Sequence, residues 1–174
     1  IIREKGTNRS EFFRGQTDKY TWVDIGSSYL SGDIIAAFLY AQMENADKIV
    51  AKRNLIYSLY MKNLMPLAEK GCFRLPCILN NCSINGHIFH IMTSSLKERM
   101  DLALFLRKKG IMAVFHYVPL HSSPAGQLYG RVCGKMEVTD MVSDCLLRLP
   151  VYYEMTEEDV HIVTESINDF YKRF

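Results

Sequence analysis

The chain has 174 residues, 48% hydrophobic and 23% charged, which is ordinary globular composition with enough apolar mass for one core. Twenty-one Lys and Arg against nineteen Asp and Glu leave a net charge of +2, so a binder of nucleic acid through a basic surface is excluded. No apolar run approaches the 18 residues of a transmembrane helix, and no repeat or low-complexity tract is present.

The chain opens Ile1-Ile2-Arg3-Glu4-Lys5, without an initiator Met or a signal-peptide pattern, and reads as the middle of something longer. Five cysteines, with no CxxC pair, suit a reducing compartment better than a disulfide framework. A cytoplasmic location follows as the expectation.

Residues 1–32 read as an ordered loop region, because Phe12, Phe13, Tyr20, Trp22 and Tyr29 need somewhere to pack. A helix is predicted from a cap at Ser31–Asp33, with apolar residues from Ile34 to Tyr60 at helical spacing. It runs to about Leu64, where Pro66 ends or kinks it. Some 30 residues make about 45 Å, more than a small domain needs, so the helix should span a boundary.

Beyond it, Cys72–Leu75 and Gly86–Thr93 read as short strands, and Leu96–Lys109 as an amphipathic helix stopped by Gly110. Ile111–Phe115 is an apolar strand running into the loop His116-Tyr117-Val118-Pro119-Leu120-His121. Met136–Leu147 is predicted helical, and Leu149–Tyr152 a strand that Pro150 assigns to an edge. Thr156 followed by Glu157, Glu158 and Asp159 caps a last helix to about Tyr171. The sum is an α+β fold: a small sheet with helices on one face and a long helix feeding it.

Three clusters invite chemistry. Cys72, Cys77, Cys82 and His87 recur every five residues, a donor set for zinc, but no close cysteine pair supplies the tight turn of a zinc knuckle. Small buried thiols are the better reading, and no metal is expected. The His116–His121 loop offers two imidazoles and a phenol to a polar ligand, or else a proline turn whose histidines cap backbone groups. Gly26-Ser27-Ser28 offers hydroxyls and N–H groups to an anion, or serves as a plain helix cap; Arg9, Arg14 and Lys19 add charge or are simply solvated. No nucleophile elbow, metalloprotease motif or dinucleotide fingerprint occurs.

Four stretches together carry a resemblance: IIREKGTNRSEFFRGQ at 1–16, YTWVDIGSSYLSGDIIAAFLYAQME at 20–44, IMAVFHYVPLHSSPAG at 111–126 and LLRLPVYYEMT at 146–156. The chain resembles, over essentially its whole length, the C-terminal part of the DegT/DnrJ/EryC1/StrS sugar-nucleotide aminotransferases. The resemblance implies a fold type I pyridoxal-phosphate transferase, a homodimer with active sites between subunits. It divides the chain into an interface loop region at 1–32, a long interdomain helix at 33–66 and a small C-terminal α+β domain at 67–174.

The implied reaction moves an amino group, with glutamate as donor, to the 4-keto carbon of a dTDP-linked 4-keto-6-deoxyhexose for surface polysaccharide and enterobacterial common antigen synthesis. A family dehydratase, an aminotransferase acting at another sugar carbon, and a non-catalytic nucleotide-sugar-binding module are the alternatives. In the family the Schiff-base lysine lies upstream of Ile1. No lysine here matches it, so no catalytic residue falls in this chain, the cofactor is not expected to bind covalently, and the chain alone is expected to be inactive.

By position, Ser27 and Ser28 match a segment that reaches the neighbouring subunit's cofactor phosphate, with Ser28 where relatives carry Asn. His116, Tyr117 and His121 match the loop lining the sugar pocket, and the Arg9–Arg14 segment would face the nucleotide diphosphate. Arg148, between Leu147 and Leu149, reads as support for an edge strand rather than as a carboxylate clamp. A fragment of such an enzyme should expose the apolar flank of Ile34–Leu64; an independent module should be polar outside.

Overall fold

The computed structural model describes residues 1–19 and 21–172 and divides into two compact units, Ile1–Ala46 and Asp47–Phe174. Tyr20 lies outside the described residues.

In the first unit, residues 1–8 run antiparallel to 21–29. Isolated bridges pair Glu4 with Ser28 and Thr7 with Trp22. Backbone hydrogen bonds lace the two segments, among them Lys5 N–H to Ser27 O (3.2 Å), Ser27 N–H to Ile2 O (2.9 Å) and Val23 N–H to Gly6 O (2.7 Å). The approach is close enough that two glycines are required. Gly6 takes φ +77°, and a Cβ there would run into the Asp24 carbonyl; one on Gly26 would run into the Gly6 backbone. Helix α1 (Arg9–Phe13) follows, its start held by the Glu4 carboxylate, which accepts from Ser10 N–H and Ser10 Oγ. The Ser10 hydroxyl bond holds the Glu4 carboxyl below the usual carboxylate range. The expected packing of the aromatic residues does not occur inside this unit: Phe13 and Tyr29 are exposed, and Trp22 is 72% exposed.

The single helix expected from 33 to 64 is two. Helix α2 spans Asp33–Met43 and α3 spans Ala46–Glu69. Asn45 marks the break, its side-chain amide donating to the Ala41 carbonyl at 3.2 Å and so competing with the helical ladder. Gly32, rather than Ser31 or Asp33, occupies the cap, without a side-chain bond. Pro66 does not end α3; the helix continues past it to Glu69. Helix α2 buries nothing, and Phe38 is 71% exposed. The apolar flank expected at Ile34–Leu64 is exposed along Ile34–Met43 and at Val50 and Leu55, whereas Ile56, Tyr57, Tyr60 and Leu64 enter the core of the second unit.

That core is built on three antiparallel strands in the order β1-β3-β2: β1 Phe89–Met92, β3 Leu146–Leu149 and β2 Val114–Phe115. Register opposes Phe89 to Leu149, His90 to Arg148 and Ile91 to Leu147. With the period-2 alternation of a strand, Phe89, Ile91, Leu147 and Leu149 share the buried face. Helices α3, α4 (Leu96–Lys108) and α7 (Glu157–Tyr171) supply Tyr60, Leu64, Leu102, Leu106, Val160 and Ile167 to the same core. Phe89 stacks on Tyr60 with ring centroids 4.9 Å apart, and Tyr60 Oη donates to the Pro150 carbonyl at 3.0 Å, tying α3 to the end of β3. Burial pushes the Tyr60 phenol up, so it stays a neutral donor. Tyr171 Oη likewise ties α7 to α4 through Glu98 Oε1 at 2.6 Å.

Four predicted elements change. The strand expected at Leu149–Tyr152 ends at Leu149, begins at Leu146 and is central, not an edge; Pro150 lies just beyond it, where its missing N–H costs no ladder bond. The helix expected to Leu147 is α6, Glu137–Cys145, which passes directly into β3. Cys72–Leu75 makes only an isolated bridge, Arg74 to Met92, and Ile111–Phe115 pairs only at Val114–Phe115. A 3-10 turn (Leu120–Ser122) closes the loop expected at His116–His121, and α5 (Pro124–Tyr129) follows it. Gly110 stops α4 at φ +79°, and Thr156 with Asp159 forms a full capping box on α7.

Leu147→Ala should cost about 2–5 kcal/mol in denaturant unfolding, since the side chain is fully enclosed between sheet and helices. The capping box also sets a pH dependence. Thr156 N–H and Oγ1 hold the Asp159 carboxyl below its ordinary 3.8, so its contribution is complete above that value and lost as pH falls through the depressed one. Asp159→Asn should therefore lower the thermal midpoint at neutral pH and flatten its fall below about pH 4.

Candidate functional site

The predicted site residues divide between the two units. In the first, Ser27 and Ser28 are exposed on the segment that pairs with residues 2–5. The Ser27 N–H is spent on Ile2, but neither hydroxyl has a hydrogen bond among the described residues. Two unspent donors on a backbone fixed by glycine contacts fit a phosphate oxygen. Arg9 lies over the Phe13 ring at 5.1 Å and is exposed, as is Arg14 at the end of α1. Their guanidinium groups are free for an anion in the sense that neither makes an ion pair among the described residues.

In the second unit, β2 delivers the His116–His121 loop from the sheet. His116 and Tyr117 are neighbouring rings, 5.5 Å between centroids, and Tyr117 is 83% exposed. The Tyr117 carbonyl accepts from Ser143 Oγ at 3.2 Å, which fastens the loop to α6. His121 goes elsewhere: on the 3-10 turn its Nε2 lies 2.8 Å from Asp140 Oδ1, again on α6. The two histidines of the motif thus line different cavities, His121 one of about 640 Å³ beside Gly126 and Gln127, and His116 one of about 940 Å³.

The larger cavity covers the face of the sheet opposite the core. His90 and Arg148, paired across β1 and β3, line it with His116 and Leu146; Tyr57 and the 76–88 segment form its walls. Burial, and then the nearby His116, hold the His90 imidazole below its ordinary pKa. Sequence reading missed His90 altogether and misjudged Arg148, because only strand order decides that Arg148 stands in the middle of a sheet. The signal present was the alternation His90-Ile91 and Leu147-Arg148-Leu149, which places polar residues opposite the core.

Cys77 and Cys82 are exposed in the same walls and Cys72 is half-buried, while no group of three His, Cys, Asp or Glu able to hold a metal exists among the described residues. No helix among them is long and apolar enough to cross a membrane.

The DegT/DnrJ/EryC1/StrS aminotransferase family model matches residues 1–168. The chain belongs to that family. It is 27% identical over 174 residues to GDP-perosamine synthase of Escherichia coli O157:H7, covering 94% of this chain and 44% of that protein. Among solved structures, S. venezuelae DesV superposes with a TM-score of 0.83 at 21% identity, over 99% of this chain and 43% of that one. The pyridoxal-phosphate form of a putative sugar aminotransferase from Streptococcus pneumoniae superposes at 0.77 with 18% identity, over 99% and 42%. These likenesses establish a shared fold, the small α+β domain with its three-stranded sheet, and the family's aminotransferases depend on pyridoxal phosphate. The chain spans 41–44% of the length of the curated relatives it matches.

Asp140→Asn should release the His121 ring, speed amide exchange in the Leu120–Ser122 turn and shift the His121 imidazole signals, with helix content unchanged. Unaltered exchange would mean that the Ser143 bond to Tyr117 holds the loop alone.

Proposed function

We propose that this chain is the C-terminal part of a pyridoxal-phosphate-dependent sugar-nucleotide aminotransferase that works as a homodimer. The observation that carries the reading is the family match over residues 1–168, set against coverage of only 41–44% of its curated relatives. In this reading residues 1–32 form an interface region, 33–66 an interdomain segment and 67–174 the small domain. The exposed apolar α2 supports it, since about ten residues of such helix left in water would be costly.

The substrate we propose is a dTDP-4-keto-6-deoxyhexose, aminated at its 4-keto carbon with glutamate as donor, in surface polysaccharide synthesis of the enterobacterial common antigen type. Pyridoxal phosphate, when bound, would supply the electron sink for the amino transfer. Ser27 and Ser28 would donate hydroxyl hydrogen bonds to the phosphate of the neighbouring subunit's cofactor, and Arg9 and Arg14 would pair with the nucleotide diphosphate. His116 and Tyr117 hold hexose hydroxyls, and His121 is positioned through Asp140. The lysine that anchors the cofactor lies outside these 174 residues, so this chain alone is inactive, and the cytoplasm is its proposed location.

The test is the natural gene product. A product much larger than this chain, with a lysine that borohydride locks to pyridoxal phosphate, supports the reading. A product of about this chain's size that neither binds the cofactor nor transfers nitrogen from glutamate overturns it. In the larger protein, Ser28→Ala should weaken cofactor retention about tenfold, the order expected for one hydrogen bond to a charged group.

A further inference from the structure

Helix α6 has no separate cap segment, because Cys145 passes directly into β3. The last carbonyls of a helix have no partner inside it and must find one elsewhere. Leu146 N–H takes that of Val142, and Thr93 takes that of Cys145 through both its N–H and its hydroxyl. The Ser143 carbonyl is met by a side chain from another helix: Arg99 Nη1 of α4 donates to it at 3.2 Å. The same guanidinium lies over the Phe115 ring, 5.2 Å from its centroid, at the end of β2. Arg99 is half-buried and makes no ion pair among the described residues, so a helix C-terminus and a ring face are its partners.

We propose that Arg99 is a positioning residue for the His116–His121 loop and, through that loop, for recognition of the sugar. The sugar step rests on the aminotransferase reading; the brace on the loop does not. Phe115 is the last residue before the loop, and Ser143 is the residue whose hydroxyl holds the Tyr117 carbonyl. One guanidinium therefore braces the loop at its root and, through Ser143, one residue past His116. Packing alone does not fix the loop there. A cavity of about 340 Å³ lies between it and α6, with Arg99, His116 and Ser143 in its walls, and leaves the loop room to shift. Holding a carbonyl and a ring face together suits a planar, delocalised cation; an ammonium is a point charge that keeps one contact and weakens the other.

The test compares the unaltered full-length gene product with Arg99→Met, which keeps an apolar stem and removes the charge and the donors. Hydrogen exchange in peptides covering 114–118 should quicken, with that of α7 unmoved. With glutamate and dTDP-4-keto-6-deoxyglucose, KM for the sugar nucleotide should rise about tenfold, the order of one charged hydrogen bond. Conversion of the cofactor by glutamate alone, followed by absorbance, should stay within about twofold, because the loop holds the sugar and not the donor. Arg99→Lys should fall between the two. Where Arg99→Met does not fold, Ser143→Ala replaces it; that variant loses the Tyr117 link alone and should show the same split.

Unchanged exchange at 114–118 in folded Arg99→Met, or in Ser143→Ala where that variant stands in, overturns the brace. Exchange quickened alike in 114–118 and α7, or both half-reactions slowed equally, overturns it in favour of a plain stability role. Quickened loop exchange with an unmoved KM overturns the part in sugar recognition. Should the unaltered protein transfer no nitrogen to the sugar, the aminotransferase reading falls while exchange still decides the brace, so the two failures are distinguishable.

Discussion

Everything in the second unit depends on β3, four residues whose side chains alternate between two environments. Leu147 and Leu149 face the helices and are enclosed; Arg148 faces away from them. Fully burying a leucine is worth about 1.5–3 kcal/mol, and a one-residue slip would exchange these faces, sending a guanidinium into the core. The register with Phe89 and Ile91 is therefore strongly determined, and with it the position of His90 beside Arg148. The same strand receives β2 on its other edge, so it also decides where the His116 loop leaves the sheet.

The helices act on this strand from one side and on the loop from the other. Tyr60 and Phe89 stack beneath β3, and the Tyr60 hydroxyl holds the carbonyl just past its end. Helix α6, leading directly into β3, presents Ser143 to Tyr117 and Asp140 to His121. Packing of the core and orientation of the polar loop are thus consequences of one α6–β3 connection. A rigid scaffold that carries polar residues on the loop and on its open face is the usual division of labour in ligand-binding domains.

Much of this was legible in the residues themselves. The capping box at Thr156, the glycine stop at Gly110 and the amphipathic α4 are local features, and each appears where its sequence signal lies. The polar loop after the apolar Ile111–Phe115 run was equally visible, as was the family resemblance in the motifs at 20–44 and 111–126. Legibility failed where two signals competed. At Leu146–Leu149 helical periodicity from α6 overlapped the short strand Leu-Leu-Arg-Leu, and Pro150 drew the strand boundary to the wrong side. At Asn45 a helical pattern continued through a residue whose side chain takes the Ala41 carbonyl for itself.

The sequence alone determined the fold class, the elements with strong local caps, the family, and the loop that bears His116, Tyr117 and His121. These depend on neighbours within a few positions, or on motifs that survive as strings. Only the tertiary structure decided that β3 is central, that His116 and His121 face different cavities, and that His90 stands beside Arg148. Those facts rest on which strand pairs with which, across separations of tens of residues. That choice is made by the burial of Leu147 and Leu149 against a core assembled from the whole unit, and no local pattern contains it.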